Sequence, residues 1–140
     1  YMVPLLEDLG ADRAIDYKTE DFVEVVREET DGEGVNVVLD TVGGDTLSRS
    51  LEVVQPFGDM VGIVNTGTGF RGATVKNVKV NFMFLERDRY QLDVLRMLLE
   101  REQIKPVIDS VLPLTDVAEA HRRLKAGGVK GKLVLKVREE

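Results

Sequence analysis

Val35-Asn36-Val37-Val38-Leu39-Asp40-Thr41-Val42-Gly43-Gly44-Asp45 decides how this chain is read. Its opening residues are apolar except for Asn36. An apolar run this short, with glycine at either side, reads as a strand buried on both faces. The Gly-Gly pair lets the backbone turn tightly or come close to a ligand. Asp45 and Thr46 can cap the helix that follows, on which Leu47, Leu51 and Val54 recur at helical spacing. Strand, glycine turn and capped helix make the repeating unit of a doubly wound α/β sheet, whose ligands bind at the carboxyl ends of the strands. An ordinary βα turn with no ligand is the other reading of the same residues.

Working outward toward the start, Leu5-Leu6-Glu7-Asp8-Leu9 reads as the last turns of a helix, with Gly10 just past its end. Arg13-Ala14-Ile15-Asp16-Tyr17 reads as a short strand. Thr19 is the expected cap of a helix on which Phe22, Val25 and Val26 face inward while Glu24, Arg27 and Glu28 face solvent. Asp31-Gly32-Glu33-Gly34 ends that helix and leads into the central strand.

In the other direction the helix is expected over 45–55. Pro56-Phe57-Gly58 reads as a turn and 59–64 as the next buried strand. Asn65-Thr66-Gly67-Thr68-Gly69 is a polar loop, again at a strand's carboxyl end. Over 75–84, Val78, Val80, Phe82 and Phe84 alternate with Lys79, Asn81 and Met83, the period of a strand near a sheet edge. Leu92, Leu95, Leu98 and Leu99 stripe a helix over 88–102. Residues 106–108 are extended. Thr115 caps a short helix carrying Val117, Ala118, Ala120, His121 and Leu124, stopped by Gly127-Gly128. A last strand covers 132–137. Strands alternating with helices predict parallel βαβ winding.

The chain has 140 residues, 43% of them hydrophobic, enough for a packed core. A net charge of −6 argues against nucleic acid or an anionic membrane surface as partner. No apolar stretch approaches the roughly 18 residues of a membrane span. The chain contains no cysteine and a single histidine, His121, which excludes thiolate and multi-histidine metal sites. The lack of cysteine is compatible with a cytoplasmic protein. The chain opens at Tyr1 and is helix-like by residue 5, as a piece of something longer would be.

Among candidate chemical groups, no acid–base pair stands out. Asp40, at the end of the central strand, either bonds a ribose or holds the amides of the glycine turn. His121 is expected to be a half-buried structural histidine, because no acid, serine or cysteine partner is visible. Tyr17 and Lys18 offer a phenol and an ammonium at a strand end, able to clasp a ribose phosphate or simply to face water. Glu86-Arg87-Asp88-Arg89 reads as a solvated helix start. The glycine-rich stretch 65–72 is a candidate phosphate cradle that lacks G-x-x-x-x-G-K-[ST]; Gly67, Gly69 and Gly72 have the spacing G-x-G-x-x-G, which by itself is a weak signal.

Several stretches together resemble the cofactor domain of the medium-chain dehydrogenases/reductases, within the zinc-free quinone oxidoreductase and enoyl reductase branch. They are Leu9-Gly10-Ala11-Asp12-Arg13-Ala14-Ile15-Asp16-Tyr17, Gly34 through Gly44, Phe57-Gly58, Ile104-Lys105-Pro106-Val107-Ile108, Pro113-Leu114, Glu119-Ala120-His121 and Gly131-Lys132-Leu133-Val134-Leu135. They run in family order from about residue 9 to 137. The resemblance implies a Rossmann-like, doubly wound, mainly parallel sheet that lacks its first two strands and the glycine-rich phosphate loop. It divides the chain into a dinucleotide-binding part, 1–105, and a segment, 106–140, that packs on a catalytic domain not contained in this sequence. With family order 3-2-1-4-5-6, the absent strands would lie between 13–17 and 35–41. Direct pairing of these two segments is therefore expected, closing the gap into a smaller sheet.

The resemblance also implies site residues. Tyr17 and Lys18 look like contacts to the adenosine ribose or its 2′-phosphate. Thr41, Val42 and Gly43 look like the loop beside adenine and ribose. Ile63, Val64 and Asn65 look like the segment under the nicotinamide, and Phe82, Met83 and Phe84 like the stretch closing over it. Lys132 is a candidate near the phosphates. No catalytic or metal-ligating residue is implied. The function implied is part of an NAD(P)H-dependent oxidoreductase transferring hydride to a quinone or an α,β-unsaturated carbonyl compound, with NADP as cofactor and a homodimer formed through 75–84. The other expectation is a non-catalytic α/β module whose NADP binding is weak or absent.

Overall fold

The computed structural model describes residues 3–64 and 71–138. By contacts the chain divides into two units, Tyr1–Glu86 and Arg87–Glu140. No helix among the described residues is long and apolar enough to cross a membrane.

The first unit opens with α1 (Val3–Asp8). The helix ends as its sequence predicts: Gly10 sits at φ 97°, its N–H donates to the Glu7 carbonyl and that of Ala11 to the Leu6 carbonyl. This paired pattern satisfies the last free carbonyls of a helix. Helix α2 (Phe22–Glu29) follows, capped by Asp21, whose carboxylate accepts the Val23 N–H, rather than by Thr19. Then come β1 (Val35–Asp40), α3 (Asp45–Ser50), β2 (Val54–Gly62), α4 (Arg71–Lys76) and β3 (Lys79–Phe82). The three strands form one parallel sheet in the order β1-β2-β3. Leu47 and Leu51 of the α3 region, with Val54, Met60, Ala73 and Val78, make the core, and Val38 and Val80 pack against it.

Four expectations are corrected here. Residues 13–17 form no strand and do not pair with β1. Their polar groups are engaged locally instead: Asp16 accepts the N–H groups of Lys18, Thr19 and Glu20, Glu20 accepts the Asp16 N–H, and Arg13 pairs with Glu20 and Glu29. These local bonds close a turn at 17–19, immediately after the segment, and compete with strand pairing there. Consequently β1 is an edge strand, and it is not buried on both faces. Val38 and Asp40 point to the core side, but Val37 and Leu39 are 62% and 66% exposed. Third, Pro56-Phe57-Gly58 is not a turn between helix and strand. It lies inside β2 as a bulge: pairing jumps from Val35↔Val54 to Val37↔Asp59, with Phe57 at φ 65°. Helix α3 is correspondingly shorter than 45–55.

Fourth, 75–84 is a strand only over Lys79–Phe82. Its first residues end α4, where the Lys76 ammonium donates to the carbonyls of Leu51, Glu52 and Val54. Asn77 takes the left-handed conformation at φ 55°, a residue type that tolerates it at a helix end. The loop 65–70 lies outside the described residues.

The second unit contains α5 (Arg89–Glu100), β4 (Ile108–Pro113), a 3-10 turn (Leu114–Asp116), α6 (Val117–Ala126) and β5 (Lys132–Lys136). Asp88 caps α5 by accepting the Gln91 N–H at 3.0 Å, so the charge run at 86–89 is indeed a helix start. Thr115 caps nothing; it falls within the 3-10 turn. β4 and β5 pair in parallel, with α6 connecting them. Asp109 is the extra residue of a bulge in β4. Its carboxylate accepts the Lys130 N–H, the Ser110 hydroxyl and Arg123, which ties the strand to the helix and to the approach to β5.

Candidate functional site

The parallel register sets the carboxyl ends of β1, β2 and β3 side by side. Two backbone bonds continue this alignment past the strands. Ile63 N–H donates to the Asp40 carbonyl and Met83 N–H to the Gly62 carbonyl, both at 3.0 Å. Thr41-Val42-Gly43, Ile63-Val64 and Phe82-Met83-Phe84 therefore succeed one another along a single edge of the sheet. Asn65 lies outside the described residues. Thr41 and Val42 are exposed and Gly43 is buried; Ile63, Phe82, Met83 and Phe84 are exposed, and Val64 is half-buried.

Asp40 folds this edge rather than facing a ligand. Its buried carboxylate accepts the N–H groups of Val42 at 3.0 Å and Gly43 at 2.5 Å. The next residues, Gly43 and Gly44, sit at φ 78° and 60°, where a side chain would be strained. Of the two readings of the acid, the turn is the one formed.

Tyr17 and Lys18 stand in a turn rather than at a strand end. They line a cleft of about 410 Å³ together with Asp21 and Phe22, with Thr46 and Arg49 of α3 on the other side. Arg49 donates to Asp21 at 2.5 Å and lies over the Phe22 ring, 5.1 Å from its centroid. The guanidinium beside Asp21 holds that carboxyl below its ordinary range, and Asp21 in turn raises Arg49. Glu20, on the same rim, is engaged by Arg13. Lys18 has no ion-pair partner among the described residues. Thr46 and Arg49 were not candidates from the sequence. The available signal was their spacing: three residues apart on a helix is one face.

In the second unit, Lys132 opens β5 and is exposed; its N–H donates to the Val107 carbonyl at 2.9 Å. His121 is exposed, not half-buried, because only Ala120 of its helix is buried. The described residues include no group of three or more His, Cys, Asp or Glu able to hold a metal ion. With no cysteine and one histidine in 140 residues, the donor set does not fit zinc.

A parallel sheet wound with helices, and a row of loops at its carboxyl edge, define a Rossmann-like cofactor-domain architecture. The family model described as "Zinc-binding dehydrogenase" matches residues 9–135, and the chain belongs to that family. A probable zinc-binding oxidoreductase, mitochondrial, of Arthroderma benhamiae is 31% identical over 134 residues, 94% of this chain and 40% of that protein. A 2-haloacrylate reductase of Burkholderia sp is 54% identical over 50 residues, 36% of this chain and 15% of that protein. The solved structure of the quinone oxidoreductase from Coxiella burnetii superposes with a TM-score of 0.84 at 28% identity, covering 98% of this chain and 42% of that one. The chain thus spans well under half the length of these relatives.

Proposed function

We propose that the chain forms part of the cofactor domain of an NADPH-dependent oxidoreductase that transfers hydride to a quinone or an α,β-unsaturated carbonyl compound. The observation that carries this reading is the row of neighbouring strand ends, 41–43, 63–64 and 82–84, on one edge of a parallel sheet. The crevice outside the carboxyl ends of such strands is where doubly wound sheets bind ligands. In this reading Tyr17 and Lys18 meet the adenosine ribose and its phosphate, Thr41, Val42 and Gly43 flank adenine and ribose, and Ile63, Val64 and Asn65 underlie the nicotinamide. Phe82, Met83 and Phe84 close over it. NADPH supplies the hydride; the chain's own residues bind and orient the carrier. An electron-poor acceptor is supported by the names of two relatives, a 2-haloacrylate reductase and a quinone oxidoreductase.

The residues present fit the two ends of the dinucleotide and not its middle. A pyrophosphate normally rests on a helix N-terminus reached through the glycine-rich loop after the first strand of the sheet, whereas the one G-x-G-x-x-G spacing in the 140 residues, at 67–72, comes after β2. That observation favours a second reading for the chain taken alone, a module that binds NADPH weakly and catalyses nothing. The dissociation constant expected for the 140-residue chain is no tighter than about 1 mM, or about 4 kcal/mol. Titrating NADPH into the ¹⁵N-labelled chain tests both readings. Millimolar shifts centred on amides 17–18, 41–43 and 63–64 are expected. Shifts confined to other residues overturn the site, and micromolar affinity overturns the second reading.

A further inference from the structure

We infer that Arg49 is a specificity-determining ligand for a phosphomonoester on the adenosine ribose, exchanging Asp21 for that phosphate when the nucleotide enters the cleft between 17–22 and α3. The inference deepens the proposed function and rests on its placing of adenosine at Tyr17 and Lys18.

Around the cleft, Glu20 is matched by Arg13 and Asp21 by Arg49. Lys18, on the lining of the cleft, has no ion-pair partner among the described residues and is available to an anion. The cleft volume of about 410 Å³ admits a ribose phosphate, and Tyr17 and Thr46 are among the residues that line it. A doubly charged, three-oxygen acceptor suits such a lining better than a neutral ribose hydroxyl does.

Arg49 can also change partner without moving far. A guanidinium carries five N–H donors in a planar fork, and Asp21 takes only one nitrogen. The stack on Phe22 holds the guanidinium plane independently of Asp21. Asp21 also keeps a separate role when released, because its other oxygen accepts the Val23 N–H at the start of α2. The pair that must open is half-exposed, with side-chain exposures of 43% and 39%, and exposed ion pairs contribute little. A phosphate therefore has only a weak competitor to displace.

Asp21 and Arg49 thus oppose each other in binding although they support each other in folding, and this gives the test. The probes are 2′,5′-ADP and 5′-AMP, which differ only by the 2′-phosphate, titrated into the ¹⁵N-labelled chain at low ionic strength. The native chain is expected to prefer 2′,5′-ADP. Arg49→Gln is expected to reduce that preference by about fivefold, the scale of one half-exposed charged contact. Asp21→Asn keeps a good N-cap and removes the competitor, so it is expected to tighten 2′,5′-ADP by about threefold and leave 5′-AMP unchanged. A purely structural ion pair would move both variants in the same direction. Preference retained in Arg49→Gln, or 2′,5′-ADP weakened or unchanged in Asp21→Asn, overturns the role of Arg49 while leaving adenosine at Tyr17 and Lys18. A native chain that shows no preference likewise overturns the inference alone, and one with no shift at 17–22 overturns that placing itself and this inference with it.

Discussion

Gly34 and Gly131 carry one constraint in two separate units. Each stands at positive φ, 85° and 89°, just ahead of a parallel strand. A Cβ at Gly34 would lie 2.4 Å from the Val53 carbonyl oxygen, and one at Gly131 2.1 Å from that of Val107. The crowding has a cause: the next residue's N–H donates to that same carbonyl, Val35 to Val53 at 2.7 Å and Lys132 to Val107 at 2.9 Å. Each glycine thus lets a strand start directly against its neighbour. Gly34→Ala is expected to cost about 2–4 kcal/mol, combining left-handed strain with a backbone clash. Gly32→Ala, at φ 81° with open space around it, should cost only about 1–2 kcal/mol from strain. Urea unfolding of the two variants measures the difference, and equal losses would show that the close approach is unimportant. The sequence displays Gly34 as a helix stopper and nothing more, because the clash partner is brought in by pairing with a strand about 20 residues on. For the same reason Arg49 escaped notice: its partner Asp21 is 28 positions away.

Helices with a regular apolar spacing were legible, and elements set by distant polar bonds were not. Helices α2, α5 and α6 appear where the spacing of Val25-Val26, Leu95-Leu98-Leu99 and Ala120-Leu124 puts them. The segment 13–17 has the composition of a strand but joins no ladder, and a turn held by Asp16 and Glu20 begins at Tyr17. The alternation over 75–84 runs through a helix end that Lys76 fixes by reaching three carbonyls more than 20 residues away. The βαβ element of the second unit is likewise fastened by one side chain, Asp109. Its pKa lies below the ordinary 3.8 chiefly because the Lys130 N–H and the Ser110 hydroxyl donate to it, with Arg123 adding opposite charge. A carboxyl depressed in the folded state contributes stability that is present above its unfolded value and lost as pH falls through the folded one. Asp109→Asn is therefore expected to lower the thermal midpoint at pH 6, with the gap from the native chain closing below pH 4. Circular dichroism melts across pH 3–7 follow this directly, and a pH-independent gap would mean that the charge on Asp109 contributes nothing.

At the scale of the molecule, a three-stranded parallel sheet leaves two open edges, β1 and β3. Unpaired edges are sites of association unless something blunts them. Alternation tells which backbone groups are free to pair. Met83 N–H points to β2, so the N–H of Val80 points away from it, toward the open side. The β3 edge also runs into an exposed apolar stretch, Phe82, Met83, Phe84 and Leu85, with Phe84 92% exposed. The β1 edge has Val37 and Leu39 exposed on the sheet face, but the strand ends on the buried Asp40 and is followed by the polar Thr41. Antiparallel pairing of β3 with a second copy would bury both the ladder and that apolar stretch, extending the sheet across a two-fold axis. Lys79 and the net charge of −6 oppose contact, so association should strengthen with salt, which screens repulsion over distances near 10 Å at 0.1 M. A dimer is thus the expected species in sedimentation velocity at high protein concentration, favoured by added salt. Val80→Pro removes an outward donor while sparing the β2–β3 ladder, a position where proline is tolerated, and is expected to give the monomer. Val37→Pro, the corresponding change on the β1 edge, is expected to leave the dimer intact. If Val37→Pro dissociates the dimer and Val80→Pro does not, the interface lies on β1, and the apolar stretch at 82–85 must be accounted for by some other contact.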